Sequence, residues 1–164
     1  MNGTTSARLV EVARFDHQVT GVTVARDGRI FVNFPRWTED TEVSVAELLP
    51  DGGLRPYPDA GWNSWRNARK DEMDGSRHWV CVQSVVADHA GNLWVLDPAA
   101  PAQERVVTGA PKLVKIDTST DRVVQVVSFD EKVAPQGSYL NDVRFSPDDR
   151  FAYITESGAQ GAIV

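Results

Sequence analysis

The sequence predicts an all-β protein that forms part of a β-propeller. One pattern, two apolar strands joined by a tight turn, occurs three times, at residues 21–34, 84–97 and 142–157. The first two copies are each followed by another strand pair, so the repeating unit is four antiparallel strands. A four-stranded unit repeated in this way is typical of propeller blades. A β-sandwich of short strands is the alternative fold, but a sandwich does not require the repeat.

The turn of each copy carries a residue that tolerates a left-handed backbone. Gly28, Gly91 and Asp149 stand at the same turn position. Glycine adopts positive φ without steric cost, and Asp tolerates it better than most residues. We therefore expect three equivalent tight turns. No segment keeps apolar residues at helical spacing for about ten residues, so no long helix is predicted.

In chain order, the pattern predicts a single partial domain over residues 1–164. A lone strand at 7–15 closes the ring, and blade 1 follows at 20–58. A loop at 59–78 leads to blade 2 at 79–130, and residues 139–164 form the inner part of blade 3. Propellers use about 4–8 blades, and this chain supplies about two and a half. We therefore expect it to be a fragment of a longer propeller.

Composition excludes several function classes. The net charge is −6 and no run of basic residues appears, which argues against a nucleic-acid partner. The single cysteine, Cys81, excludes an intramolecular disulfide and lies in an apolar segment typical of a buried thiol. No apolar stretch is long enough to span a membrane, and no signal-peptide pattern is visible.

Four segments resemble the bacterial branch of the major royal jelly protein/Yellow family. They are VTVARDGRIFVNFPRW, VQSVVADHAGNLWVLDPA, PKLVKIDTSTDRVVQVVSF and YLNDVRFSPDDRFAYITESGAQGAIV. The resemblance covers nearly the whole chain, least over residues 60–76. It implies a six-bladed propeller, similar in architecture to gluconolactonase-like and strictosidine-synthase-like proteins. It also suggests a secreted or periplasmic location.

Polar residues flank the innermost strands of the predicted blades. The side chains at or just before the strand starts are Thr20, Gln83, Ser84, Asn141 and Asp142, and the inner hairpins end in Asn33, Asp97 and Glu156. Innermost strands begin around the central channel, so we expect a ligand-binding site at the channel mouth. The alternative is structural, because Asn and Asp also bond nearby backbone groups at strand ends and turns.

These oxygens could also bind Ca²⁺, which takes six to eight oxygen ligands. The gluconolactonase-like relatives bind it with a Glu from the first blade and with Asn or Asp residues from later blades. By this resemblance Asn141 matches one ligand, whereas Thr20 and Gln83 stand where the relatives have Glu and Asn. The sequence therefore leaves Ca²⁺ as a candidate cofactor with one matching ligand.

The first functional hypothesis is a propeller that binds a small molecule in its channel, an amine, an aromatic compound or a sugar derivative. The alternatives are a lactonase-like metal-dependent hydrolase, a dopachrome-tautomerase-like enzyme and a protein-interaction scaffold. No serine-nucleophile, zinc-protease or P-loop motif is present. The expected partners are the ligand and the C-terminal half of the same propeller. Three aromatic residues on loops are candidates for ligand stacking, Trp62, Trp65 and Tyr139.

Overall fold

A computed structural model describes residues 8–38, 41–158 and 161–164. Within them the chain forms eleven strands: β1 (Gly21–Val24), β2 (Ile30–Asn33), β3 (Val45–Leu48), β4 (Leu54–Pro56), β5 (Ser84–Ala87), β6 (Asn92–Asp97), β7 (Lys112–Asp117), β8 (Arg122–Ser128), β9 (Leu140–Phe145), β10 (Ala152–Glu156) and β11 (Ala162–Ile163). Three 3-10 turns, at Asn67–Arg69, Gly75–Arg77 and Pro101–Gln103, are the helical elements of the described residues. None of these is long and apolar enough to cross a membrane. The prediction of an all-β chain is confirmed.

The strands form three antiparallel sheets that follow chain order. β1 to β4 form the first sheet, β5 to β8 the second, and β9, β10 and β11 the third. The innermost strands contact each other, β1 with β5 and β5 with β9. Blades 1, 2 and 3 are therefore arranged side by side around their innermost strands.

The three turns of the inner hairpins share one backbone conformation. Gly28, Gly91 and Asp149 have φ values of 89°, 87° and 53°. The expectation of positive φ at this position is confirmed in all three blades. Asp149 adopts this left-handed conformation although it has a Cβ atom. The conformation is less favourable for such a residue than for glycine.

Apolar cores lie between neighbouring blades. Between blades 1 and 2, Phe31, Tyr57 and Trp79 pack with Val85 and Leu93. Between blades 2 and 3, the cluster contains Leu96, Leu113, Leu140 and Ile154. Each fully buried side chain of this size contributes roughly 1.5–3 kcal/mol to stability. These two cores therefore fix the relative positions of the three inner strands.

An ion cluster joins blade 1 to the β7–β8 turn of blade 2. Arg29 donates to Glu47 Oε1 over 2.9 Å and to Asp121 Oδ1 over 2.9 Å. Arg55 pairs with the same two carboxylates, and the Tyr57 hydroxyl donates to Asp121 over 2.9 Å. Two guanidinium groups and two carboxylates thus alternate, so each charge has an opposite partner.

The N-terminal segment forms no strand within the described residues, and its role as a closing strand stays a prediction. None of the described strands pairs with residues 8–15, and Ala7 lies outside the described residues. Leu9 and Val12 are exposed, whereas Phe15 packs edge-on against Phe34 at 5.1 Å. Alternating apolar residues favour a strand, but a strand also needs a partner edge, and no described edge pairs with this segment.

The polar loop at 59–78 packs against the blades. Trp65 is fully buried beside Val80 and Ala99, and the Trp62 ring lies 4.4 Å from that of Trp79. Trp79 donates from Nε1 to the Tyr57 carbonyl over 2.9 Å. The two loop tryptophans that we considered for ligand stacking, Trp62 and Trp65, are therefore engaged in packing between elements.

Candidate functional site

A groove of about 520 Å³ runs along the starts of the three innermost strands. The five polar residues predicted at the strand starts all line it: Thr20, Gln83, Ser84, Asn141 and Asp142. They converge because the interblade cores hold β1, β5 and β9 side by side, so their first residues come to one end. The five residues therefore lie together in one groove, and their role in ligand binding stays a prediction.

Gln83 links the groove walls of blades 2 and 3. It donates from Nε2 to Asn141 Oδ1 over 3.0 Å and accepts at Oε1 from the Tyr139 hydroxyl over 2.8 Å. The Tyr139 hydroxyl in turn accepts from Trp37 Nε1 over 3.0 Å. Since Trp37 follows β2, this chain of hydrogen bonds connects all three blades. A connected network of this kind fixes the side chains in position.

Asp142 is the carboxylate of the groove, and its charge is balanced. Its Oδ1 accepts from Ser84 Oγ over 3.0 Å and from Arg144 Nη1 over 2.6 Å. Arg144 also lines the groove, on the same strand two residues further on. On the opposite wall, the Thr20 hydroxyl donates to the Gln83 carbonyl over 3.2 Å. The described wall therefore carries one negative and one positive group among neutral polar groups.

A second cavity of about 430 Å³ adjoins the groove at the same end. Its lining includes Trp37, Glu104 and Tyr139, and it shares Gln83 and Asn141 with the groove. Burial raises the pKa of the Tyr139 phenol, so the hydroxyl stays protonated and donates to Gln83 at neutral pH. Of the aromatic residues that we considered for ligand contact, Tyr139 is the one beside this cavity.

Asp97 does not reach the groove. Its side chain is fully buried and accepts from the amides of Val80, Cys81 and Ala99 over 2.8–2.9 Å. It also pairs with the buried Lys112 ammonium at 2.9 Å. The placement of Asp97 at the channel mouth is therefore corrected: the carboxylate fixes the segment leading to Gln83. A polar side chain at the end of an inner hairpin can point into the protein interior when buried backbone amides there need an acceptor.

Lys112 is buried, and burial disfavours the charged form of its amino group. Burial lowers its pKa, and the Asp97 carboxylate opposes this by favouring the ammonium. Its Nζ also donates to the carbonyls of Gly75 and Ala110 over 2.9 and 3.0 Å. The ammonium thus joins the 59–78 loop to blade 2 behind the groove.

Glu156 has a similar structural role in blade 3. It is buried, and it accepts from the amides of Tyr139, Gly158 and Gly161 over 2.7–2.9 Å. The prediction that Glu156 lines the channel mouth is corrected for the same reason as for Asp97. Both carboxylates end the second strand of a blade and fix the segment that precedes the innermost strand.

Two residues of the site were not predicted from the sequence. Arg144 could have been found, because residues i and i+2 of a strand face the same side and Asp142 was already a candidate. Trp37 is the last residue of the Pro-containing segment FPRW after β2. Its contact with Tyr139 joins residues that are far apart in sequence. No local pattern in the sequence indicates that contact.

The donors on the described wall do not fit a Ca²⁺ ion. Asp142 is the one carboxylate among the groove's lining residues, and it already accepts from the Arg144 guanidinium. Ca²⁺ prefers six to eight oxygens, usually with several carboxylates and no adjacent cation. Across residues 8–38, 41–158 and 161–164, no three His, Cys, Asp or Glu side chains are grouped to hold a metal.

Comparison with known proteins identifies relatives at the level of family and fold. The family model of the major royal jelly proteins matches residues 80–164, just over half of the chain. A solved luciferin-regenerating enzyme is similar at 18% identity and a TM-score of 0.50, covering 85% of this chain. A virginiamycin B lyase from Staphylococcus aureus is similar at 12% identity and a TM-score of 0.36, over 89% of this chain and 54% of its own. No curated protein sequence matches.

These comparisons confirm the predicted fold class, part of a β-propeller with about two and a half blades. The chain spans 37% of the length of the luciferin-regenerating enzyme. At this level of identity the similarity concerns the fold alone.

Proposed function

The chain belongs to the major royal jelly protein family, and we propose that it binds a small molecule in the groove at the starts of β1, β5 and β9. Polar side chains from three separate blades line this one groove, and that convergence supports the proposal most strongly. Ligand sites are commonly concave, about 300–1,000 Å³ in volume, and contain a few polar groups that orient the ligand. The groove, at about 520 Å³, lies within that range.

The hydrogen bonds of the groove leave capacity for a ligand. Gln83 and Asn141 are only partly buried, and each primary amide carries two N–H donors and an oxygen with two lone pairs. The Gln83–Asn141 bond and the bond from the Tyr139 hydroxyl to Gln83 together use one donor and two lone pairs of this set. A ligand can therefore bind to amides whose orientation is already fixed, which lowers the entropic cost of binding.

The enzyme alternatives have less support in the described residues. A lactonase-like hydrolase needs a metal ion to polarise a carbonyl and activate water, and the donors here do not suit Ca²⁺. A tautomerase needs a positioned base, and Tyr139 is held protonated by its raised pKa. No described contact favours a protein-interaction scaffold over a ligand site.

We further propose that additional blades of the propeller pack against blades 1 and 3. Thr23 contacts blade 2, so the alternating, exposed Val22 and Val24 face the opposite side. Ile154 packs in the core shared with blade 2, so the exposed Tyr153 likewise faces away from it. The exposed faces of blades 1 and 3 are equivalent to the blade faces buried in the two interblade cores. Further blades packed on them would complete the ring and enclose the groove as a channel.

The ligand proposal is tested by NMR titration of the 15N-labelled protein with three probes: methyl α-D-glucopyranoside, phenethylamine and indole. We expect at least one probe to shift the side-chain amide signals of Gln83 and Asn141 saturably. Gln83→Leu should weaken that binding, whereas Gln125→Leu on the exposed face of β8 should not. If all three probes leave both amide signals unchanged, the proposal is wrong.

A further inference from the structure

Arg144 carries the one positive charge among the described residues that line the groove. It lies on β9 two residues after Asp142, so both side chains emerge on the same side of the strand. The Arg144 side chain is 68% exposed, whereas that of Asp142 is 40% exposed. A molecule that enters the groove therefore meets the guanidinium group more readily than the carboxylate.

The guanidinium group is held in place through one of its three nitrogen atoms. Nη1 donates to Asp142 Oδ1 over 2.6 Å and to the Val143 carbonyl over 2.8 Å, which uses both of its N–H groups. Among the described residues, none accepts from Nε or Nη2 of Arg144. The N–H groups of Nε and Nη2 point in parallel from one edge of the guanidinium plane, and this edge is open to a ligand.

Asp142 holds Arg144 from the opposite edge. Its Oδ1 accepts from Ser84 Oγ over 3.0 Å and from the Val143 amide over 2.9 Å, in addition to Arg144 Nη1. Ser84 belongs to blade 2, so contacts from two blades fix the carboxylate. An arginine held in this way loses less side-chain entropy when a ligand binds to its free edge.

We propose that the free edge of Arg144 binds a carboxylate group, so that the ligand of the groove is a small organic anion. This inference rests on the proposed ligand site and names its ligand class. A carboxylate accepts both parallel N–H groups with its two oxygens, and these charge-assisted bonds are stronger than neutral ones. The Asp142 charge repels such a ligand, but it lies across the guanidinium at Nη1, further away than the charge in direct contact.

The amides of the groove indicate how far the rest of the ligand extends. Asn141 stands three residues before Arg144 on β9, roughly 10 Å away along the strand. Asn141 and its partner Gln83 offer the amide donors and acceptors of the groove. A suitable probe therefore carries a polar group separated from its carboxylate by a short chain.

The test compares three matched probes bound to the 15N-labelled protein. N-acetyl-γ-aminobutyrate carries an amide and a carboxylate, its primary amide is the neutral counterpart, and N-acetyl-1,3-diaminopropane is a cationic one. Binding is followed through the side-chain amide signals of Gln83 and Asn141 and the Nε–Hε signal of Arg144. We expect the acid to shift all three signals and the other two probes to bind about tenfold more weakly or worse. Added NaCl should weaken binding of the acid, because salt screens the attraction between charges.

A variant adds an independent readout. Arg144→Lys keeps the positive charge but lacks the two parallel N–H groups, so we expect it to bind the acid about tenfold more weakly. Arg122→Lys, at the exposed start of β8, is the matched control and should leave binding unchanged. Circular dichroism checks that both variants are folded, and the comparison of probes on the wild-type protein stands without them.

The outcomes separate the two proposals. Shifts of Gln83 and Asn141 without any shift of Arg144, or equal binding of the acid and its primary amide, would overturn the role of Arg144 and leave the ligand site intact. Tighter binding of the cationic probe would overturn the ligand class, and a shift of Arg144 alone would place the carboxylate outside the proposed site. If no probe moves Gln83 or Asn141, with glucoside, phenethylamine and indole included, both proposals are wrong.

Discussion

Gln83 of blade 2 donates a hydrogen bond to Asn141 of blade 3 over 3.0 Å, across the start of the central groove. The two residues are far apart in sequence but stand at equivalent positions of their blades, just before or at the innermost strand. Their contact joins the repeats at one polar surface, because each blade brings a polar side chain to the same end.

The Gln83–Asn141 bond should appear as a coupling in stability. We expect Gln83→Ala and Asn141→Ala to show an interaction free energy of about 0.5–1.5 kcal/mol in a double-mutant cycle. Urea unfolding of the four proteins measures it. Gln83→Ala combined with Gln125→Ala is the control, and it should be additive; additivity for the first pair as well would contradict the bond.

Breaking the buried Asp97–Lys112 pair should strongly destabilise the folded protein. Asp97→Asn leaves the Lys112 ammonium without its counter-charge, so we expect a loss of about 3–5 kcal/mol in the free energy of unfolding. Replacing both residues, with Asp97→Leu and Lys112→Met, should cost less than the sum of the single changes. Asp117→Asn, at the end of β7 beside the exposed turn, is the control and should change stability little. An Asp97→Asn protein as stable as this control would contradict the pair.

The turn residue of blade 3 offers a stabilising change. Asp149 has a φ of 53°, where glycine is less strained, so we expect Asp149→Gly to stabilise the protein by roughly 0.5–1 kcal/mol. Gly91→Ala at the equivalent turn should destabilise it by a similar amount. Thermal unfolding compares them, and destabilisation by Asp149→Gly would show that its side chain has a stabilising contact.

The ion cluster should make stability depend on acid pH. The hydrogen bond from Arg29 lowers the pKa of Glu47 below its usual value near 4.5, and burial opposes this. Because the pKa of Glu47 is lower in the folded state, its carboxylate contributes fully to stability above its unfolded-state pKa. That stabilisation is lost as the pH falls through the folded-state pKa. We expect Glu47→Gln to flatten the unfolding free energy plotted between about pH 5 and pH 2. An unchanged slope would contradict the role of Glu47.

The single thiol should be unreactive in the folded protein. Burial, together with the nearby Asp97 charge, raises the pKa of Cys81 to about 12. At about pH 8 very little thiolate forms, so we expect no reaction with the disulfide reagent 5,5′-dithiobis(2-nitrobenzoate) until urea unfolds the chain. Fast modification of the native protein would show that the segment before β5 opens readily.

Much of the fold could be predicted because its signals are local. Alternating apolar residues and the turn residues Gly28, Gly91 and Asp149 determine the hairpins, and their repetition indicates blades. The lone strand at 7–15 could not be judged in this way, since a strand also depends on its partner edge. The pattern is therefore confirmed inside the blades, and the closing strand stays a prediction.

The candidate site was predicted only in part. The positions at the strand starts followed from the repeat, and Thr20, Gln83, Ser84, Asn141 and Asp142 do lie together. Asp97 and Glu156 have the same polar character, but backbone amides behind the groove compete for their oxygens. Sequence alone does not show that competition, nor does it show the long-range contact between Trp37 and Tyr139.

The most direct test of the proposed site is a crystal structure of the protein soaked with methyl α-D-glucopyranoside. We expect density for the sugar between β1, β5 and β9, with a hydroxyl within about 3.2 Å of Gln83 or Asn141. Density only in another cavity, such as the one lined by Trp65 and Lys70, would contradict it.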